Sequence, residues 1–497
     1  MTYQPTLQSL REHPIPEWYQ NAKLGIFIHW GLYSVPAFAP AGYSIVDLMK
    51  QMSRGEAHLF ESPYAEWYQN NIKLQGSQSR KYHEQAFGAE FAYEDFSIPF
   101  NEEIKKWEPG EWASLFKEIG ARYVVLTTKH HDGFLLWPSR QPNPFKPNYF
   151  ASRDIVGELT SAVRSQGLHM GLYYSGGLDW TFNPAPIREI ADLFVNVPQS
   201  AEYTRYCMAH WRELIDRYQP EVLWNDIGMP NKAKVEELFA EYYNRFPEGV
   251  VNDRFLKGLG PLIGFFRAKP LKKWLSGMMM SVLTNDKPST LDRRGHCDYV
   301  TPEYTTYRDV ESRKWESTRG IGRSFGYNCN EQEQDYITVP DLVHQFIDIV
   351  SKNGNLLLNI GPLPDGSLSP FQLARVEGLG SWLKVNGDGI FDTRPWVRAE
   401  GTAQETAGEV PVRFTQKDES LYAFLLGTPP GPSIRLQGLK AVEQTQIRLL
   451  GDPANLEWRQ AENDLLVIID ERVKKTTNEG NAMGLRITPK PEDAETG

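Results

Sequence analysis

The chain has 497 residues, more than one hydrophobic core usually supports, so we expect two domains. Its formal net charge of −10 and its isoelectric point near 5.6 argue against nucleic acid or a membrane surface as a partner. The sequence has three widely spaced cysteines, no signal-peptide pattern at its start and no apolar run of about 18 residues. These features predict a soluble protein of the reducing cytoplasm.

Short apolar segments recur along the first three quarters of the chain, and each predicts one buried strand. They span residues 24–31, 123–131, 169–177, 221–226, 249–254 and 355–362. Amphipathic segments at 109–121, 153–167 and 202–219 lie between them and predict helices. Alternating buried strands and helices predict a parallel sheet, either covered on both faces by helices or closed into a barrel.

The residues at the ends of these strands favour the barrel. Several strands end in side chains that a purely structural strand does not need: His29, His130, His131, Tyr173, Tyr174, Asp226 and Arg254. A TIM barrel assembles its site from the carboxyl ends of its strands. A doubly wound nucleotide-binding sheet would carry the G-x-G-x-x-G spacing, which the glycine-rich segments 258–264 and 320–326 lack. We therefore predict a (β/α)8-type, TIM-like barrel over residues 1–395.

From residue 396 onward the pattern changes to short alternating or apolar segments that are separated by turn residues. This texture predicts an antiparallel β-sandwich domain over residues 396–497. Both a carbohydrate-binding module and a purely stabilising domain fit the pattern, and we favour the second.

Asp226 is the first candidate for catalysis. It ends the apolar segment EVLWND, close to Trp224, and the following IGMP does not begin a helix capping box. A turn aspartate is the ordinary interpretation of such a residue. A carboxylate beside an indole at the catalytic face of a barrel also suits a nucleophile in a partly desolvated site.

The strand-end histidines predict hydrogen bonds to the hydroxyl groups of a ligand. His130 and His131 are adjacent, and adjacent residues of a strand point to opposite faces, so they would chelate a metal poorly. Neither H-x-H nor H-E-x-x-H occurs in the chain, and we predict no metal site. His29 stands beside Trp30, and Arg254 supplies a fixed cation for a substrate oxygen or a carboxylate.

Glu303, in the segment DYVTPEY, is a candidate proton donor. Pro302 precedes it, and Tyr299 and Tyr304 lie nearby in the sequence. Burial among such neighbours would raise the pKa of a carboxyl group, as a proton donor requires. An exposed loop glutamate is the ordinary alternative.

Taken together, several segments resemble glycoside hydrolase family 29, the α-L-fucosidases. The matching strings include FIHWG, YAEWYQN, KHHDGF, EVLWND, VNDR, DYVTPEY, KWESTRGIGRSFGYN and LLLNIGP. They follow the order of the family and cover most of residues 15–395. FIHWG, KHHDGF and LLLNIGP in combination are highly specific.

The resemblance implies a role for each matching residue. Asp226 matches the nucleophile, and Glu303 matches the general acid/base of one branch of the family, a position that varies within it. Glu66 is the next candidate for that role. The residues matching the sugar pocket are His29, Glu66, His130, His131, Tyr173, Trp224, Arg254 and Phe325. The implied reaction is retaining hydrolysis of terminal α-L-fucosyl units from fucosylated glycans, releasing L-fucose, with no metal or cofactor.

One insertion departs from the family pattern. Residues 255–297 separate VNDR from DYVTPEY and contain Trp274, a pair of phenylalanines and three methionines. Such apolar content predicts that the insertion covers the site or packs against another subunit, and we expect a homo-oligomer.

The resemblance leaves two other hypotheses open. A metal-dependent barrel hydrolase would use the same histidines with Asp226. A sugar-binding protein without catalysis would not need both Asp226 and Glu303.

Overall fold

The computed structural model describes residues 2–53, 59–257, 271–272, 274–277, 295–405, 408–429, 431–469 and 481–494. Most of the insertion predicted at 255–297 lies outside the described residues. In its described part, Lys272 pairs with Glu189 and Asp192, Leu275 is buried and Trp274 is exposed. Within the described ranges, no helix has both the length and the apolar character needed to span a membrane.

Seven parallel strands form the first sheet. They are β1 (Leu24–Ile28), β2 (Tyr123–Lys129), β3 (His169–Ser175), β4 (Val222–Asp226), β5 (Val250–Val251), β6 (Trp315–Gly320) and β7 (Gly354–Ile360). Their order in the sheet is β5-β4-β3-β2-β1-β7-β6. A short segment closes the sheet, because Tyr299 forms a parallel bridge to Asn252 and Val300 forms one to Trp315. This segment takes the place of an eighth strand, so the predicted TIM-like barrel is confirmed.

Helices surround this barrel, and those predicted from the sequence are present with bounds that differ by up to three residues at their ends. The α-helices are Leu7–Leu10, Glu17–Ala22, Ile45–Ser53, Tyr68–Asn71, Gln78–Ala86, Ser97–Glu103, Pro109–Glu118, Ile155–Ser165, Asp192–Val195, Ala201–Tyr218, Val235–Arg245, Val339–Ser351 and Pro370–Asn386. Short polar side chains cap several of them; for example, the Ser200 hydroxyl accepts from the Tyr203 amide at the start of Ala201–Tyr218.

The strands bury side chains on two faces. Along β1, Leu24, Ile26 and Ile28 belong to the apolar layer under the helices, whereas Phe27 belongs to a separate cluster inside the barrel. This inner cluster is rich in aromatic residues and extends to Tyr19 of the helix that precedes β1. Successive residues of a strand alternate between faces, and the side chains on both faces of β1 are buried.

The sequence analysis missed β6. Its sequence, WESTRG, is polar, although its residues are almost entirely buried. Glu316 lies inside the barrel, where it accepts hydrogen bonds from the hydroxyls of Tyr19 and Tyr123 and from the indole of Trp224. Buried polar groups of this kind are tolerated only with partners. Those partners are distant in sequence, so no local pattern in the sequence predicts the strand.

The second domain is antiparallel, as predicted. Its strands are β8 (Arg394–Glu405), β9 (Gly408–Lys417), β10 (Ser420–Leu425), β11 (Ser433–Leu436), β12 (Leu439–Lys440), β13 (Gln446–Leu449), β14 (Trp458–Ala461), β15 (Asp464–Ile468), β16 (Met483–Thr488) and β17 (Glu492–Asp493). Eight of them form one sheet in the order β13-β16-β10-β9-β8-β11-β15-β14, and β12 pairs with β17. The domain has its own apolar core, which includes Phe414, Leu421, Ile434 and Leu485.

Gly25 in β1 offers a test of how tightly the barrel interior is packed. A Cβ atom at this position would overlap three ring atoms of Tyr123, whose hydroxyl is fixed on Glu316. We expect Gly25→Ala to lower the free energy of unfolding by about 2 kcal/mol, measured by denaturant titration. Gly110→Ala is the control, because its Cβ would enter open space at an exposed position of the helix Pro109–Glu118, and it should be neutral or slightly stabilising. Equal unfolding midpoints for Gly25→Ala and the wild type would contradict tight packing here.

Candidate active site

The candidate residues meet at one end of the barrel. Asp226 is the last residue of β4, and Tyr173 lies near the end of β3. His29 follows β1 directly, and Arg254 follows β5 by three residues. Because the strands are parallel, all their carboxyl ends lie on the same side, which is where TIM-barrel sites form.

Asp226 is buried and held by several hydrogen-bond donors. Its Oδ2 accepts from the Tyr173 hydroxyl at 2.8 Å, and its Oδ1 accepts from Arg254 Nη1 at 3.0 Å and from the Ile227 amide at 2.9 Å. Burial opposes ionisation, but the Arg254 charge, His131 and the Tyr173 hydroxyl outweigh it and hold the pKa of Asp226 below its ordinary value. Asp226 is therefore an ionised carboxylate at neutral pH.

Arg254 joins two carboxylates. Its Nη1 lies 3.0 Å from Asp226 Oδ1 and 2.6 Å from Glu303 Oε1, so those oxygens cannot be farther apart than these two distances added together. The guanidinium is itself fixed, because Nε donates to Thr301 Oγ1 and Nη2 to the Thr301 carbonyl. Burial opposes its charge, but Glu303 and Asp226 raise the pKa of Arg254 above its ordinary value.

Glu303 lies on the more open side of this pair. It follows the segment that closes the barrel and forms an isolated bridge to Thr318 of β6. Its side chain is 35% exposed, whereas that of Asp226 is 12% exposed. The enclosed surroundings expected from the neighbouring tyrosines are therefore only partly present. The pair consists of one enclosed carboxylate and one that solvent reaches.

Two of the histidines have a defined tautomer. The Asn359 amide donates to the Phe325 carbonyl, so its Oδ1 faces His29 and accepts from Nδ1 at 2.6 Å. The Ser175 hydroxyl donates to the Leu178 carbonyl, so it accepts from His131 Nδ1 at 2.7 Å. Each ring keeps an unprotonated Nε2 that can accept from a ligand hydroxyl.

The histidines are uncharged at neutral pH. Burial lowers the pKa of His29 to about 3 and that of His131 to about 4, although the Asn359 hydrogen bond opposes the shift at His29 and the Asp226 charge opposes it at His131. Burial also places the pKa of His130 well below its ordinary value. A neutral imidazole both donates and accepts, which matches the hydroxyl groups of a sugar.

The expectation that His130 and His131 point to opposite faces is wrong. β2 ends at Lys129, so both residues lie in the following turn, and their ring centroids are 4.0 Å apart. His130 stacks 5.9 Å from Tyr173, and His131 Nε2 lies 4.0 Å from Asp226 Oδ2. Both therefore face the site. In the described part of the chain, no group of three or more potential ligand side chains is arranged to hold a metal ion.

Glu66 and Phe325 form a further wall of the pocket, beside His29. The Phe325 ring lies 5.0 Å from that of His29, and the amide of the next residue, Gly326, donates to Glu66 Oε2 at 2.8 Å. Burial raises the pKa of Glu66 to about 7. This wall joins an apolar surface to a carboxyl group that changes charge near neutrality.

Trp224 lies underneath the pocket rather than at its surface. It is only 2% exposed, stacks 5.4 Å from the Tyr173 ring and carries the Arg254 guanidinium 4.6 Å above its own ring. Its place two residues before Asp226 in β4 gives both side chains the same inward direction. Trp224 therefore supports Tyr173 and Arg254, the two side chains that donate hydrogen bonds to Asp226.

Sequence reasoning missed three residues of the site. Asn359 and Ser175 fix the tautomers of His29 and His131, and the half-buried Trp67 lies edge-on to His131 at 5.3 Å. Asn359 was detectable as an amide within the apolar run LLLNIGP, and Trp67 as the neighbour of Glu66 in YAEWYQN. Ser175 had no sequence signal beyond its place at the end of a strand.

The comparisons with known proteins agree with this geometry. One family model, described as alpha-L-fucosidase, matches residues 1–388, and another, described as the alpha-L-fucosidase C-terminal domain, matches residues 404–488. The chain belongs to the α-L-fucosidases of glycoside hydrolase family 29. It is therefore a glycoside hydrolase with α-L-fucosidase activity.

Relatives are similar over nearly their whole lengths. The α-L-fucosidase of Branchiostoma floridae is 32% identical, with 92% of this chain and 89% of that protein covered. The human plasma α-L-fucosidase is 30% identical, with 94% and 88% covered. A crystal structure of the Thermotoga maritima α-fucosidase in complex with fucose is 38% identical, covers 98% of this chain and 100% of its own, and has a TM-score of 0.80. A complex of that enzyme with a mechanism-based inhibitor is 39% identical over 98% and 100% of the two chains, with a TM-score of 0.81.

Asn359 gives a test of how this α-L-fucosidase orients His29. Asn359→Ala removes the acceptor that fixes the His29 proton on Nδ1, and we expect the dissociation constant for L-fucose to rise about tenfold by calorimetry. Asn355→Ala is the matched control, because Asn355 lies on the same strand but donates to the Tyr19 carbonyl deep in the barrel. It should lower stability without changing fucose affinity. Unchanged affinity in a folded Asn359→Ala variant would contradict this role.

Proposed function

We propose that this α-L-fucosidase is a retaining exo-enzyme, which removes terminal α-L-fucosyl units from fucosylated oligosaccharides and glycoconjugates through a covalent intermediate on Asp226. The observation that carries the proposal is the shared contact of Asp226 and Glu303 with one nitrogen of Arg254. Retaining glycosidases place their two carboxyl groups about 5–5.5 Å apart, whereas inverting enzymes need about 6.5–9.5 Å to admit a water molecule. Two oxygens on one nitrogen fit the shorter spacing.

The first step forms the fucosyl-enzyme. Ionised Asp226 attacks the anomeric carbon, the bond from that carbon to the leaving oxygen breaks, and Glu303 gives its proton to the departing oxygen. Arg254 contacts both carboxyl groups, so it keeps their spacing while Asp226 loses its negative charge on forming the bond to the sugar. The partial exposure of Glu303 fits a position beside the path of the leaving sugar.

The second step releases fucose. Glu303, now ionised, takes a proton from a water molecule, whose oxygen attacks the anomeric carbon and displaces the Asp226 carboxylate. Two inversions return the original configuration. The donors on Asp226, from Tyr173 and Arg254, stabilise it as a leaving carboxylate.

Recognition of the sugar rests on its hydroxyls and its methyl group. The unprotonated Nε2 atoms of His29 and His131 accept from hydroxyls, and His130 lies between the two rings. Fucose is a 6-deoxy sugar, and Phe325 offers an apolar surface for its methyl group. The Thermotoga maritima α-fucosidase, which is 38% identical to this chain, forms a complex with fucose, and this supports a fucose pocket here.

Asp226→Gly tests the nucleophile. We expect kcat on an aryl α-L-fucoside to fall by about a thousandfold or more, while calorimetric binding of L-fucose reports that the pocket is intact. Added azide should then occupy the space of the lost carboxylate and give β-L-fucosyl azide, the product of a single inversion. A folded variant that keeps a tenth of the wild-type kcat would exclude Asp226 as the nucleophile, and so would an α-configured azide product.

Glu303→Ala tests the acid/base residue. An activated aryl leaving group needs little protonation, so we expect kcat/KM to fall at least about a hundredfold more on a fucosylated oligosaccharide than on the activated substrate. Azide should rescue turnover of the activated substrate and give α-L-fucosyl azide. Glu66→Ala is the comparison and should affect both substrates alike. A leaving-group dependence in Glu66→Ala, with none in Glu303→Ala, would transfer the role to Glu66.

A further inference from the structure

A buried glutamate lies one layer beneath the pocket, and the mechanism above does not use it. Glu316 of β6 is fully buried inside the barrel. Its Oε2 accepts from the hydroxyls of Tyr19 at 2.8 Å and Tyr123 at 2.5 Å, and its Oε1 accepts from Trp224 Nε1 at 3.0 Å. Glu316 forms no close ion pair within the described part of the chain, and these three donors, together with the more distant charge of Arg254, offset its burial.

Stability alone does not account for a glutamate at this position. A buried carboxylate loses its hydration, and apolar residues of similar volume often replace buried ionic groups without loss of stability. Most side chains that pack inside the barrel are aromatic or aliphatic, among them Phe27, Val125 and Leu357. The geometry of its hydrogen bonds points to a more specific use.

Trp224 connects Glu316 to the nucleophile. One face of its indole stacks with the Tyr173 ring at 5.4 Å, and the Arg254 guanidinium lies 4.6 Å from its ring centroid. Tyr173 and Arg254 are the two side chains that donate to the Asp226 carboxylate. A tilt of the indole ring out of its present plane would displace both Tyr173 and Arg254. The hydrogen bond from Trp224 Nε1 to Glu316 opposes that tilt.

We propose that Glu316 is a positioning residue for Asp226, which acts by fixing the indole of Trp224 on which Tyr173 and Arg254 rest. The proposal rests on the assignment of Asp226 as the nucleophile. Glu316 supplies an acceptor at one defined point beneath the indole N–H. Its second oxygen is tied to two tyrosines, so the acceptor cannot turn away. Small misplacements of catalytic groups cost up to about a hundredfold in rate, which makes such a fixed support effective.

The test compares two replacements of Glu316. Glu316→Met has a similar length and no acceptor, and we expect kcat to fall about tenfold or more while KM changes less than about threefold. The acid limb of kcat/KM should move to higher pH, because misplaced Tyr173 and Arg254 no longer hold the pKa of Asp226 down. Glu316→Gln keeps one oxygen for Trp224 and presents its amide to the tyrosine hydroxyls, so it should retain kcat within about threefold.

Tyr19→Phe is the matched control for a purely structural role. It removes one of the two tyrosine donors from the same buried carboxylate but leaves the Tyr123 donor and the Trp224 contact in place, so Glu316 stays oriented. We expect a lower unfolding midpoint, with kcat and the acid limb unchanged. If Tyr19→Phe reduces kcat as much as Glu316→Met does, Glu316 contributes only to stability and the proposal is wrong.

A double variant keeps the proposal testable if Glu316→Met fails to fold. Trp224→Phe removes the N–H from the other side of the same contact and should also move the acid limb to higher pH. Adding Glu316→Met to Trp224→Phe, which leaves no indole N–H without an acceptor, should cause no further loss of kcat; a further loss of about tenfold would contradict action through Trp224.

The two proposals fail in different ways. Full turnover in Asp226→Gly would overturn the mechanism whatever the Glu316 variants do. A dead Asp226→Gly variant that azide rescues, together with unchanged kcat and acid limb in Glu316→Met, would overturn only the positioning role.

Discussion

The site depends on one guanidinium between two carboxylates. Two ionised carboxylates about 5 Å apart repel by roughly 3 kcal/mol at an effective dielectric constant near 20, which would push one of them to hold a proton. Arg254 contacts both Asp226 and Glu303 and so stabilises the negative charge that the pair carries, and its contacts with Thr301 fix where its own charge lies. Thr301 is in place because the preceding Tyr299 and Val300 close the barrel between β5 and β6. The closure of the fold therefore sets the spacing of the reacting groups.

Burial then gives the remaining groups different protonation states. It lowers the pKa of His29 and His131, which stay neutral, and raises the pKa of Glu66 to about 7. Asp226 is buried as well, but its donors and the Arg254 charge reverse the effect. Similar desolvation thus yields neutral imidazoles beside one ionised carboxylate. The partners of each group, rather than its depth, decide its charge.

The sequence predicted the parts of the site that follow from local pattern. Apolar runs that end in His29 or Asp226 indicated strands and a catalytic face, because parallel strands share one carboxyl edge. It failed where long-range contacts decide: β6 was missed since Glu316 is stabilised by Tyr19, Tyr123 and Trp224, all remote in sequence. The opposite-face argument for His130 failed because β2 ends one residue earlier. The boundary near residue 395, the cytoplasmic location, the homo-oligomer and the role of the insertion stay predictions.

Access to solvent distinguishes the two candidates for the acid/base residue, Glu303 and Glu66. The residue must give a proton to a leaving oxygen and later take one from water, so it must lie where both pass. The Glu303 side chain is 35% exposed and shares the Arg254 nitrogen with Asp226. Glu66 is 2% exposed, and its Oε2 is held by the Gly326 amide beside Phe325. A raised pKa suits a proton donor, but Glu66 has that pKa because it is enclosed, and enclosure opposes the second half of the cycle. Access to water therefore favours Glu303 as the acid/base residue.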